Sequence, residues 1–548
     1  MKAASGHWFQ ESTLYQIYPR SFCDSSGNGV GDLRGITSKL DYLNGSKHSL
    51  GVTSIWLSPF YPSPMADFGY DIADFCDVDP LFGTLDDFKE LLTAAQSRGI
   101  RVLIDLVPNH TSDVHKWFLD SKSSRESYYR DWYVWRDAKS DGSAPNNWLS
   151  AFGGSAWTHD EKTGQYYLHS FLDKQPDLNW DNPAVREAIK NVMRFWLDLG
   201  VDGFRVDAVY WLSKDTDFRD EDPNPDYVAS IHQPNEILKI ARSQNGPNLY
   251  HYLHEMAEVL ASYSDKFMIT EAYPEKIKKP NQYMEFYSRI DPAVCAPINF
   301  GALSAKWKAK SFRKFIDAYQ SKLKEGYIPV YSTGNHDQPR IATRYGIERA
   351  RTLAMLVLTL PGVPLIYYGD ELGMFNVNID PDQMKDPFGI SDRDSGHGRD
   401  PERTPMQWNS SLNAGFSLGK PWLPVSLDFE TCNAEVQAED QFSMWTLYQK
   451  LITLRKDYCA LRQGTYESFD IHPDVYSYCR RSKENSFTIV LNFSDDELEV
   501  PTERLLGKIR ASTHPREKNR IVGETATLLP HEGLVIEGSI ATINRDFI

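Results

Sequence analysis

Short apolar runs recur along this chain, with amphipathic, helically spaced stretches between them, and that alternation admits few architectures. Strand-like segments fall at Leu14–Tyr18, Ser54–Leu57, Arg101–Leu106, Gly203–Val206, Phe267–Thr270, Val330–Thr333 and Pro364–Tyr367. The sixth strand is the least defined, and Ala296–Phe300 is expected to supply it. Helical patterns such as Asp86–Gly99 and Ala184–Gly200 stand between strands and end at glycine, as helices often do. Strands that alternate with helices pair in parallel, because each crossover returns the chain to the same end of the sheet. About eight such units make an α/β fold of the (β/α)8 TIM-barrel type.

Two interruptions break the rhythm. From Thr111 to about Asn179 the sequence is rich in Trp, Gly and Asp and too long for a simple loop, so a small domain inserted after the third strand is expected. From Met374 to about Leu418, Asp, Gly and Pro mark a second long loop at the catalytic face. From about Glu467 the pattern alternates, as in Val475–Cys479 and Phe487–Asn492, which predicts an antiparallel β-sandwich. The expected division is a barrel over 1–110 and 180–466, an inserted domain over 111–179 and a C-terminal β-sandwich over 467–548. At 548 residues the chain is too long for one ordinary domain.

Composition narrows the partners. A formal net charge of −16 argues against nucleic acid, whose phosphates need clustered Lys and Arg. Aromatic residues reach 13%; most fill core, but their faces also stack on sugar rings. The six cysteines show no CxxC spacing, which fits free thiols better than a disulfide framework or a zinc site. No run of 18 apolar residues spans a membrane, and the amino terminus lacks a signal-type stretch. A soluble, cytoplasmic protein without membrane partner is expected; the oligomeric state is not legible.

Acidic residues stand where the predicted strands end. Arg205 and Asp207 in GFRVDAV lie two apart and share a strand face. Glu271 closes the fifth strand in MITEAYP, and His336 and Asp337 follow the seventh in STGNHDQPR. Singly these are ordinary, since an Asp at a strand end is usually a turn former or cap and an Arg–Asp pair is usually structural. Together they converge on one barrel mouth, where active sites of this fold are built. Three carboxylates round one cleft suit glycosidic cleavage: one attacks the anomeric carbon, one protonates the leaving oxygen, and all tolerate an oxocarbenium-like transition state. Arg205 is expected to keep Asp207 ionised, while Glu271 has to hold a proton near neutrality.

The sequence resembles the α-amylase family of glycoside hydrolases, in its α-glucosidase and oligo-1,6-glucosidase branch. The matching segments are YQIYPRSF, DLRGI, GYDI, DLVPNHTS, QPDLNW, GFRVDAV, TEAYPE, GNHDQPR, YYGDELGM and GRDPERTPMQW, in the family's order along nearly the whole chain. The resemblance implies that Asp207 is the nucleophile, Glu271 the general acid/base and Asp337 the carboxylate that binds sugar hydroxyls. It implies a shell round the non-reducing glucose made of Asp67, Tyr70, His110, Arg205, His336 and Arg399. Tyr70 offers a stacking face, and Asp67 with Arg399 blocks one end of the cleft. Phe171, just before QPDLNW, reads equally as pocket wall or as core of the inserted domain.

DSSGNGVGD resembles the calcium loop of this branch, with Asp24, Ser26, Asn28, the carbonyl of Val30 and Asp32 as ligands. Ser26 and Asn28 replace stronger ligands, so a structural Ca2+ and a Gly-rich turn are equal expectations. No catalytic-metal or dinucleotide motif is present, and no organic cofactor is expected. The activity implied is a retaining exo-α-glucosidase acting on small oligosaccharides such as maltose, with transglucosylation open. Ala208 follows the nucleophile; in similar enzymes a small residue or Thr there accompanies α-1,4 activity, and Val accompanies α-1,6 activity. Sucrose isomerases and hydrolases with the same catalytic residues are the nearest rival. A non-catalytic, transporter-associated relative is more distant, because such relatives tend to lose the acids.

Overall fold

The computed structural model describes residues 8–228, 232–272, 280–301, 305–391, 398–516, 519–521 and 523–538. Residues 273–275, the end of the TEAYPE segment, lie outside the described residues.

Eight strands form the barrel: β1 (Leu14–Ile17), β2 (Ser54–Leu57), β3 (Arg101–Leu106), β4 (Gly203–Val206), β5 (Phe267–Thr270), β6 (Cys295–Asn299), β7 (Val330–Ser332) and β8 (Val363–Tyr367). Each pairs in parallel with its neighbours, and β1 closes the circle by pairing with both β2 and β8. Apart from Arg101, every barrel-strand residue is buried, which is why these segments read as mostly apolar runs rather than alternating ones. The sixth strand starts one residue earlier than expected and carries Pro297 and Asn299, which weaken its apolar signal.

Helix signals coincide with helix ends. Thr84 and Asp87 form a capping box on Leu85–Ser97, and Asn182 caps Pro183–Leu199 with Pro at its first position. Gly200 then takes φ 110°, the left-handed turn that ends a helix.

Between β3 and β4, Trp135–Asp137, Gln165–Leu168 and Trp157–Asp160 make a three-stranded antiparallel sheet, with Gln165–Leu168 central. Val134, Trp148, Ala156, Trp157 and Leu168 form its own small core. After the barrel, strands from Thr465–Phe469 to Gly533–Gly538 build a six-stranded sheet whose paired strands run antiparallel, beside a two-stranded one of Leu498–Pro501 and Thr525–Leu528. Among the described residues no helix is long and apolar enough to cross a membrane.

Strand register sets the site. Asp105 of β3 lies opposite Arg205 of β4, and Val206 lies opposite Thr270 of β5. The next residues, Asp207 and Glu271, therefore leave the barrel level with each other. Their amides still bond the preceding strands, Asp207 N to Leu106 O at 2.8 Å and Glu271 N to Val206 O at 2.9 Å.

Candidate active site

Arg205 organises the centre. It is 1% exposed, and its Nη1 meets Asp105 Oδ1 at 2.8 Å and Asp207 Oδ1 at 2.6 Å, while Nη2 meets Glu271 Oε2 at 2.8 Å. Asp105 is fixed from behind by Trp56 Nε1 and Tyr70 Oη, each 3.1 Å from its Oδ2. Three carboxyls thus share one guanidinium. Burial pushes the Asp207 carboxyl well up; Arg205 opposes this, but Glu271 and Asp105 add to it, and the net direction is upward. The arginine expected to keep Asp207 ionised is divided among three partners and does not outweigh burial.

Asp337 has the opposite environment. Burial raises it, but His336, Arg403 and Arg399 more than offset that and hold its carboxyl well below the usual range. Arg403 Nη2 lies 2.8 Å and Arg399 Nη1 3.2 Å from Asp337 Oδ1. The His336 ring lies nearly parallel to that of Tyr70, 5.4 Å between centroids and 4° between planes, and meets it at the edge. Its Nε2 is 2.8 Å from Tyr70 Oη and its Nδ1 2.8 Å from Gln16 Nε2. Burial drives the imidazole down to about 3, so the ring is neutral and joins this network by hydrogen bonds.

A second ionic group closes one side. Arg399 Nη2 bonds Asp67 Oδ1 at 2.8 Å and Asp386 Oδ1 at 2.7 Å. Gln175 Nε2 links Asp67 Oδ2 (3.1 Å) to His110 Nε2 (3.2 Å), and His110 Nε2 also lies 3.0 Å from Tyr70 O. Phe171 is half-buried and 5.2 Å from the His110 ring, on the site side and apart from the inserted domain's core. With Phe152 at 5.9 Å and Trp211 at 5.6 Å it forms an aromatic wall, and Arg399 sits over Phe152 at 5.0 Å. All ten residues expected at the catalytic and sugar-binding site are therefore linked through one network of contacts.

A closed parallel barrel with acids and aromatics gathered at its mouth is shared by many enzymes, and comparison with known proteins narrows the choice. The family model described as the α-amylase catalytic domain matches residues 16–464. The chain belongs to the α-amylase family of glycoside hydrolases. An oligo-1,6-glucosidase of Bacillus cereus is 36% identical, covering 97% of this chain and 99% of its own. Maltase 1 of Drosophila virilis is 39% identical over 97% of this chain and 87% of its own. The structure of a variant trehalulose synthase MutB bound to Tris is 34% identical, with a TM-score of 0.87, over 97% of this chain and 100% of that one.

Against that family background, several site residues escaped the reading of the sequence. Asp105, Gln175 and Arg403 lie inside the matched segments DLVPNHTS, QPDLNW and GRDPERTPMQW, and that placement was their available signal. Asp386, fully buried against Arg399, and Phe152 lie in none of these segments.

Of the two equal expectations for the DSSGNGVGD loop, its hydrogen bonds favour the turn. In the folded loop the carboxylates of Asp24 and Asp32 face backbone amides. Asp24 accepts from the amides of Ser26, Gly27 and Gly29 and from the Ser417 hydroxyl, at 2.6–2.9 Å. Asp32 accepts from the amides of Ser25, Ser26 and Gly35, the last as the cap of helix Leu33–Ser38. Asn28 Oδ1 is taken by Val30 N at 2.8 Å. With lone pairs directed at donors and neutral Ser26 and Asn28 between, these residues do not fit a calcium ion. Among the described residues no group of three or more His, Cys, Asp or Glu fits a metal.

Proposed function

We propose that this chain is a retaining, exo-acting α-glucosidase that removes terminal non-reducing glucose from short α-linked oligosaccharides, α-1,4 preferred. One observation carries the reading: Asp207 and Glu271 stand level on adjacent strand ends and share Arg205. That pairing suits attack on the anomeric carbon by one carboxylate and protonation of the leaving oxygen by the other. The upward push on Asp207 fits a free enzyme that keeps one proton among its clustered carboxyls. Positive charge developing at the anomeric carbon favours Asp207 ionised, with that proton on Glu271. Asp337, held ionised, grips hydroxyls and stabilises the transition-state charge.

The ionic group Asp67–Arg399–Asp337 supports exo action, because it bars extension of the sugar chain at that side. His110, Tyr70, His336 and Arg205 complete the glucose shell. The wall of Phe152, Phe171 and Trp211 gives the departing sugar apolar faces. Water resolves the glucosyl–enzyme; a sugar hydroxyl in its place gives transglucosylation. This chemistry asks for no organic cofactor. The free cysteines fit a reducing compartment, and the cytoplasm is the proposed site of action.

Product analysis on maltose, isomaltose, sucrose and trehalose tests the reading. Glucose from maltose faster than from isomaltose supports it. Sucrose converted to an isomer without net hydrolysis replaces it with the isomerase reading, which likeness to a trehalulose synthase keeps in view.

A further inference from the structure

Ala208 holds a left-handed backbone, φ 47° and ψ 38°, a conformation that alanine adopts at a cost and glycine does not. Its methyl group makes no hydrogen bond that could repay the strain, so the surroundings impose it. Asp207 N is bonded to Leu106 O, Trp211 N bonds Ala208 O at 3.0 Å, and the residue is buried. The turn carries the chain from β4 into the short 3-10 helix Val209–Leu212. It also leaves the Ala208 N–H directed across the mouth, 3.2 Å from Glu271 Oε2. The same oxygen receives Arg205 Nη2 at 2.8 Å.

We propose that the backbone N–H of Ala208 is a positioning group for the acid/base: with Arg205 it occupies Glu271 Oε2, so that Oε1 carries the transferable proton. The proposal rests on the glucosidase reading of Asp207 and Glu271. A carboxyl oxygen that already accepts two N–H bonds has no lone pair left for a hydrogen of its own. In the first half-reaction the Oε1–H proton passes to the glycosidic oxygen. The bond from the anomeric carbon to that oxygen breaks, its electron pair staying on the oxygen, while an Asp207 oxygen forms the new ester bond. In the second half, water oxygen bonds the anomeric carbon, its proton passes to Oε1, and the ester bond returns its pair to Asp207. Glu271 is negative between these halves, and the Ala208 dipole favours that form. The charged groups facing it are Arg205, Asp207 and Asp105. A turn that only joined strand to helix would leave Glu271 indifferent to the Ala208 N–H.

The full chain labelled with 15N-alanine and carbonyl-13C aspartate reports three Asp–Ala peptides, Asp137–Ala138, Asp207–Ala208 and Asp317–Ala318. The resonance missing from A208G is that of Ala208. It is expected to follow the Glu271 titration and to lose that response in E271Q. Replacing the 207–208 amide by an ester, with lactic acid incorporated at position 208, removes the N–H. The Glu271 carboxyl band, identified by infrared difference against E271Q, then titrates about one pH unit higher. An Ala208 resonance blind to Glu271, or an ester variant titrating with the unmodified enzyme, overturns the proposal. Both readouts are taken without substrate, so inactivity on α-glucosides refutes the functional reading while these titrations still decide the role of Ala208.

Discussion

Glu402 directly precedes Arg403, one of the two arginines that reach Asp337, and is itself 2% exposed. Its Oε2 accepts from Asn376 Nδ2 at 3.1 Å. Burial pushes its carboxyl from 4.5 to about 8, against the pull of Arg403. The folded state therefore holds a proton that the unfolded state releases near 4.5. Stability from this group is complete below that value and is lost as pH rises through about 8. A rise of roughly 3.5 pH units corresponds to about 5 kcal/mol across that window. Glu402→Gln keeps the shape and the bond from Asn376 but cannot ionise. Denaturation midpoints of the two proteins should nearly coincide at pH 5 and separate progressively to pH 8, with the variant the more stable. Activity follows in the same direction: an ionised Glu402 competes for Arg403, which holds Asp337 at 2.8 Å. The basic limb of the unmodified enzyme should therefore be steeper than that of the variant. A stability gap that stays constant from pH 5 to 8 refutes the assignment of a buried neutral acid.

Other perturbations test the remaining parts. Asp207→Asn should fold and lose at least about a thousandfold in turnover, since no ester can form; near-normal maltose hydrolysis ends the nucleophile assignment. Glu271→Gln should be most damaging on poor leaving groups and partly forgiving on activated aryl glucosides, compared by kcat/KM. Proton NMR before mutarotation should show α-glucose first; β-glucose first excludes double displacement. Ala208→Val should shift the kcat/KM ratio about tenfold or more from maltose toward isomaltose. It should also lower the Tm, because a β-branched residue is a poor tenant of φ 47°. An unmodified enzyme that already prefers isomaltose defeats the linkage argument alone.

What the sequence made legible was whatever depends on local order. Buried parallel strands are mostly apolar, so β2, β3, β4 and β5 were found at their observed bounds. Two-residue alternation put Arg205 and Asp207 on one face, and the register with β5 then delivered Glu271 beside them. The calcium loop shows the limit of the same reasoning. Oxygen ligands at alternate positions describe a calcium loop and an amide-capping turn equally well. The choice depends on where the N–H groups point, and here Gly27, Gly29 and Gly35 send theirs into Asp24 and Asp32.

The cation side of the site is illegible for a different reason. Arg399 meets Asp67 across 332 positions of chain, Asp337 across 62 and Asp386 across 13. No period in the sequence encodes separations like these, which arise only when the loop after β8 folds back over the mouth. Their energetics are equally non-local. A buried Asp386 is tolerable only because Arg399 neutralises it, and the half-buried Arg399 is held in turn by three carboxylates. Such a group is stable as a whole and costly in any part. The residues that close the glucose pocket are therefore also those that fix the loop over it, so removing one should disturb selectivity and loop order together.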